Sequence, residues 1–329
     1  MFAVDNPTSL PAALVPGLDE EGRANATVVV KATFRLREGE LHLADEQVPI
    51  RNADEHHGDP ASSSLRYESD LCPQKAGTDI VLVGQAWSPS PTPEIDVVLS
   101  AGPLRKAVRV FGDRAFFGTG HEFGISAPHP FTRMPLIYER AYGGADGDGF
   151  DAKNPVGIGF CRSLDHADGA RLPNLEDPRH LIRHPEDRPP PAGFGFIARH
   201  WMPRRALAGT YDEAWRADRC PLLPRDFDRR FYHSASPDLI ASRPFHGGEP
   251  IRVEGASEGG PIAFRVPRLS LDIAVSIKRS VTSHRPVLDT ILIEPDDRRV
   301  TLTHRLTFAC PRSYLPLDGV RITMTREAA

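Results

Sequence analysis

The 329 residues combine 40% hydrophobic with 26% charged side chains, a globular balance that excludes a disordered chain and leaves room for a sizeable core. A formal charge of -4 supplies no positive field for nucleic-acid phosphate, and no apolar run nears the roughly 18 residues of a membrane span. The four cysteines, Cys72, Cys161, Cys220 and Cys310, form no CxxC pair, so neither a zinc knuckle nor a redox dithiol is expected.

The start, Met1 to Pro7, has neither a basic nor an apolar leader region, which points to a cytoplasmic protein. Only five lysines (Lys31, Lys75, Lys106, Lys153 and Lys278) stand among the 40 basic residues; the skew reads as base composition, without functional weight.

In chain order, Val28, Val30, Ala32, Phe34 and Leu36 alternate with Val29, Lys31, Thr33, Arg35 and Arg37, which predicts a strand with one buried and one wet face. Glu38-Gly39-Glu40 reads as the turn into Leu41-His42-Leu43. Strands are expected over 79–87, 95–100 and 104–111, the last two joined as a hairpin at Ala101-Gly102-Pro103. Residues 121–248 hold 15 of the 32 prolines, a composition for ordered loops, which in a compact protein commonly carry function. Their one helix signal is the capping box Thr210-Tyr211-Asp212-Glu213, opening about two turns near 211–218 that Cys220-Pro221 stops.

From 249 onward the alternation returns. Leu269, Leu271, Ile273, Val275 and Ile277 mark one strand; Val300, Leu302, His304, Leu306 and Phe308, alternating with Thr301, Thr303, Arg305 and Thr307, mark another. The expected fold is mostly β: sandwich-like antiparallel sheets with a long loop-rich insertion and one or two short helices. Segments 1–120 and 249–329 are β-rich, 121–248 is the loop region, and the three form one composite unit. The similar texture of the two ends leaves a duplicated sandwich open.

Candidate chemistry is sparse. His180 and His184 would share a helical face, with Glu186 or Asp187 as a third metal ligand, but Pro185 biases His184 out of the helical region. His56-His57 beside Asp54, Glu55 and Asp59 is a second possible cluster, although adjacent side chains point apart in extended chain. His304 falls on the apolar side of its strand, where a hydrogen-bonded core histidine is the default. Gly157-Ile158-Gly159 and Gly193-Phe194-Gly195 lack the strand, the helix and the third glycine of a phosphate loop, so close backbone packing is the better reading. No Gly-x-Ser-x-Gly elbow occurs, and Ser62 to Ser64 lack a triad context. The expectation is therefore no catalytic, cofactor-binding or metal-binding residue.

Conspicuous instead are the mixed arginine, aromatic and proline segments 63–71, 130–136 and 138–144. Such residues serve equally as interface anchors and as buried pins for loops. The anchors expected are Arg66, Tyr67, Arg133, Tyr138, Arg140, Tyr142 and Trp215.

At these segments the chain resembles a bacterial family called domain of unknown function 2169. The supporting strings run in order along the chain: Val28 to Phe34, Ser63 to Leu71, Lys75 to Asp79, Arg109 to Arg114, Pro130 to Leu136, Tyr138 to Gly144, Asn154 to Gly157, Leu172 to Glu176, Pro191 to Gly195, Ala208 to Trp215 and Pro221 to Asp228. The segment 232–239 and the tail after Cys310 match less well. The resemblance implies a role beside type VI secretion: an adaptor or chaperone that binds an effector or a PAAR-type spike tip and helps load it on the VgrG spike, with no catalytic residues. Its rivals are a metal-dependent enzyme built on His180 and His184, and a carbohydrate-binding sandwich, which rests on fold analogy alone.

Overall fold

The computed structural model describes residues 3–37, 39–120, 122–310, 314 and 317–325. Among them the protein is mostly β, in several largely antiparallel sheets with one short α-helix. The central sheet has seven strands. Its path runs Ile240–Ala241, Thr78–Leu82, Val287–Glu294, Arg299–Ala309, Ala24–Arg37, Ala12–Leu18, and Glu40–Leu43 also pairs with Ala24–Arg37. N-terminal and C-terminal segments thus alternate within one sheet. Thr78–Leu82 runs parallel to Val287–Glu294, so the sheet is mixed rather than purely antiparallel.

Two further sheets complete the frame. One has five strands, ordered Leu175–Glu176, Leu104–Phe111, Glu94–Ala101, Pro250–Glu254, Ile262–Arg265; the other has four, ordered Ala3–Asp5, Leu317–Thr325, Ser270–Ile277, Ser280–His284. The expected hairpin closes at Gly102, whose positive φ of 54° suits the tight turn between Ala101 and Leu104. The expected strand over 79–87 is in fact two. Thr78–Leu82 stays in the central sheet, while Gln85–Thr92, which carries Pro89 and Pro91, pairs only with Phe131–Pro135 in a two-stranded ribbon. Glu38 of the expected turn lies outside the described residues; Gly39 has φ 85° and Glu40 opens the next strand.

One apolar core joins the three sheets. Val28, Val30, Ala32, Val300 and Leu302 from the central sheet meet Leu271, Ile273 and Val275 from the four-stranded sheet and Val97, Leu99 and Val108 from the five-stranded one. The expectation that failed is the wet face. Val29, Lys31 and Thr33 on one strand, and Thr301, Thr303 and Arg305 on its neighbour, are as buried as the apolar residues they alternate with. Segments 44–75 and 194–236 lie over that face. Val48 N–H and Gln47 bond Thr33, the Leu82 N–H donates to the Phe194 carbonyl, and the Ser234 N–H donates to Asp79 at 2.8 Å.

The helix is Glu213–Asp218, close to the expected 211–218, but its cap differs. Asp212 accepts from the Trp215 N–H at 2.8 Å, whereas Thr210 turns away and donates its hydroxyl to Asp226 at 2.7 Å. Asp212 stands directly before the first helical residue, where an N-cap must be, and Thr210, two residues earlier, becomes a loop tie instead.

Candidate partner-binding surface

The layer between the central sheet and its loop cover is built from charge. Lys31 Nζ meets Asp70 at 2.7 Å, Lys75 Nζ meets Asp79 at 2.7 Å, Arg204 meets Glu68 at 2.7 Å, and Arg305 pairs with Asp289. Asp79 also accepts from His233 Nδ1 at 2.6 Å. Burial raises the Asp79 carboxyl, but Lys75 and His233 outweigh it and hold its pKa well below the usual carboxylate range. The guanidinium of Arg204 further donates to the carbonyls of Ile197 and Phe231, so one side chain ties together three stretches of the loop cover. Removing one partner of a buried pair typically costs about 3–5 kcal/mol, so the cover is held as a rigid platform.

The expected anchors divide on that platform. Tyr67, Tyr138 and Tyr142 are corrected: all three are buried and cannot touch a partner. The Tyr67 hydroxyl donates to Glu294 at 2.6 Å under the Arg51 guanidinium. Tyr138 packs edge-on against Trp201, and a Cβ on Gly193 would stand 2.8 Å from its ring, which explains why that glycine-rich string approaches so closely. Tyr142 belongs to a small separate cluster with Phe116, Leu172 and Ile182. These are pins, the alternative that arginine–aromatic strings always allowed. Arg140 is partly exposed but engaged, donating to Asn174 at 2.9 Å. Arg66 and Arg133 are exposed, and Trp215 is half-buried.

These remaining residues do not form one patch. Arg133 pairs with Glu258 and, with Trp87, Gln85, Asp296 and Arg298, lines a cleft of about 500 Å³ at the turn between Val287–Glu294 and Arg299–Ala309. Arg66 is near the same end, stacked over Tyr67, whose hydroxyl reaches Glu294. Trp215 sits at the other end. Its indole N–H donates to the Leu222 carbonyl at 2.9 Å, and Leu222 packs on Gly22 in the turn between Ala12–Leu18 and Ala24–Arg37. Eleven residues of paired strand, from Asn25 to Arg35, separate the two ends, roughly 33 Å.

The Trp215 end carries the better-formed surface. Tyr211, just before the helix, is 54% exposed and meets Trp215 on it edge-to-face with ring centroids 4.7 Å apart; the helix fully buries none of its residues. Beside it runs a groove of about 680 Å³ lined by Asp19, Arg23, Gln74, Arg229 and Phe308 among others. Glu20 clamps this end: its side chain accepts from Arg229 at 2.6 Å, which lowers its pKa, and its carbonyl accepts from Arg219. Tyr211, Arg23 and Arg229 were not singled out by sequence. The available sign was an aromatic, Tyr211, beside a short polar helix with no apolar stripe to bury it.

The profile of a family described as uncharacterized proteins conserved in bacteria, DUF2169, matches residues 21–305. The chain belongs to that family. No curated protein and no solved structure matches it. DUF2169 strings that look unrelated in sequence converge in space, because Lys31, Glu68, Asp70, Lys75 and Asp79 all stand in the buried charge layer.

The metal alternatives find no common ground. Segment 177–187 is turn and coil, so His180 and His184 share no helical face; each faces a different carboxylate, Asp177 and Glu186, at 3.5 Å. Among the described residues no group of three His, Cys, Asp or Glu side chains is placed to hold a metal, the His56-His57 segment included, and no helix is long and apolar enough to cross a membrane. The four cysteines are free thiols, three of them buried and Cys220 exposed.

Proposed function

We propose that this chain is a cytoplasmic adaptor of type VI secretion: it binds an effector, or the PAAR-type spike tip that carries it, and presents it for loading on the VgrG spike without chemistry of its own. The observation that carries this reading is the exposed Tyr211 ring, stacked edge-to-face on the half-buried Trp215 at the start of a short helix, next to an arginine-lined groove and over a loop cover clamped by buried ion pairs. Interfaces concentrate their affinity in a few aromatic and arginine anchors, and anchors held rigid before binding lose little entropy on contact. Membership of DUF2169 supports the same direction through the secretion role that the family resemblance implies.

The test is co-purification of the tagged chain with the PAAR-type protein or effector encoded beside it. Truncating a central anchor costs about 2 kcal/mol or more, some thirtyfold in affinity. Tyr211→Ala and Arg23→Ala, both at exposed positions, are expected to reduce capture on that scale with the melting temperature unchanged. Full capture by both variants would remove this end of the sheet from the reading.

A further inference from the structure

The core is not closed everywhere. Where the seven-stranded and four-stranded sheets part, a cavity of about 400 Å³ opens between Leu271 of one sheet and Leu288 of the other, with Phe245 as a third apolar wall. Small-ligand pockets begin at about 300 Å³ and combine apolar walls with a few convergent polar groups. Its polar lining comes from His304, Arg268 and Arg285, with His246 and Ser270 beside them.

His304 is the unusual member. It pairs in register with Leu288 deep in the central sheet, is 6% exposed, and its Nδ1 has no hydrogen-bond partner among the described residues. A buried polar atom left without a partner costs about 1–3 kcal/mol, and native proteins carry few of them without a reason. Neither arginine has a carboxylate partner among the described residues. Among the described residues Arg268 gives a 3.3 Å bond to the Gly247 carbonyl, and Arg285 gives no side-chain hydrogen bond. The nearby Glu249 carboxylate is already taken by the N–H groups of His246 and Gly247, at 2.8 and 2.9 Å.

We propose that this cavity is a binding site for an amphipathic carboxylate: an apolar body of about phenylalanine size enters between the sheets while its carboxylate is held by Arg285 and Arg268 beside the His304 ring. A neutral imidazole suits this position, since it offers an N–H to the anion without placing a second charge in the core. The apolar walls disfavour a bare hydrated anion such as inorganic phosphate. The site is separate from the adaptor surface and stands without it.

The probe is 3-phenylpropionate, titrated by ligand-observed NMR while the His304 ring resonances are followed. A ligand of this size in a fitting pocket should bind with Kd of about 1 mM or tighter. The uncharged 3-phenylpropionamide, inorganic phosphate and the Arg285→Ala protein should each give binding at least about tenfold weaker, because charge-assisted bonds carry the orientation. Competition by a short peptide ending in phenylalanine carboxylate would support the site with a chain terminus as its source, and failure of the peptide to compete would support it with a free acid. Absence of binding, equal affinity for amide or phosphate, an unaffected Arg285→Ala protein, or His304 resonances that stay fixed at saturation would each overturn the proposal.

Discussion

Asp79→Asn isolates the buried charge layer. Asp79 is wholly buried and accepts from Lys75 Nζ, His233 Nδ1 and the Ser234 N–H at 2.7, 2.6 and 2.8 Å. Asparagine keeps the shape, and its oxygen can still accept from Ser234; what it removes is the charge facing Lys75, itself 3% exposed. Stranding one charge of a buried pair costs about 3–5 kcal/mol. For 329 residues the unfolding entropy is roughly 0.7 kcal/mol per kelvin, so the melting temperature should fall by about 4–7 °C. Because the folded carboxyl titrates below its unfolded value, its contribution is intact at neutral pH and disappears only as pH falls below about 4. The assay is thermal unfolding by circular dichroism at pH 7, with Glu213→Gln in the exposed Glu213–Arg216 pair as a control that should not shift. A change for Asp79→Asn no larger than the control's would refute the view that these ion pairs lock the loops to the sheet.

Three further outcomes follow from other parts of the fold. Burial pushes the His304 imidazole down to about 4, so the unfolded chain binds its proton first; stability should fall by about 2–3 kcal/mol as pH drops from 6.5 to 4.5, and His304→Gln should flatten that slope in urea titrations. Gly77→Ala would drive a Cβ into the Ala241 carbonyl and disrupt the pairing of Ile240–Ala241 with Thr78–Leu82, costing about 1–3 kcal/mol in the same titrations; an unchanged midpoint would contradict the register. The His180→Ala, His184→Ala double variant should match wild type in melting temperature and in metal content by plasma emission spectrometry, since the two rings face separate carboxylates; stoichiometric zinc lost in the variant would revive the metal reading.

Much of the β framework was legible because period-two alternation reports the apolar face directly, as at Leu271 to Ile277 and Val300 to Leu306. Alternation could not report what covers the other face. Lys31, Thr33 and Arg305 look solvated in a one-dimensional pattern, and only the loops from 44–75 and 194–236 make them interior. A usable hint was present in the lysines: of five in the chain, Lys31, Lys75 and Lys106 are buried and paired, so their scarcity marks positions where a compact ammonium is needed as well as base composition. The anchor residues were half legible. Arginine and tyrosine strings occur both at interfaces and in loop pins, and Tyr138 and Tyr142 prove to be pins because Trp201 and Leu172 close over them from distant sequence. Trp215 is half-buried, its backbone N–H capped by Asp212 and its indole N–H tied to the Leu222 carbonyl within the same loop.

The adaptor reading is tested most directly in cells, by measuring how much of the neighbouring effector reaches the VgrG spike when this chain is present, absent, or carries Tyr211→Ala with Trp215→Ala. The account predicts that loading requires the chain, and that the double variant accumulates normally but loads at least about tenfold less, the scale of losing central anchors. Loading at wild-type level without the chain would contradict it.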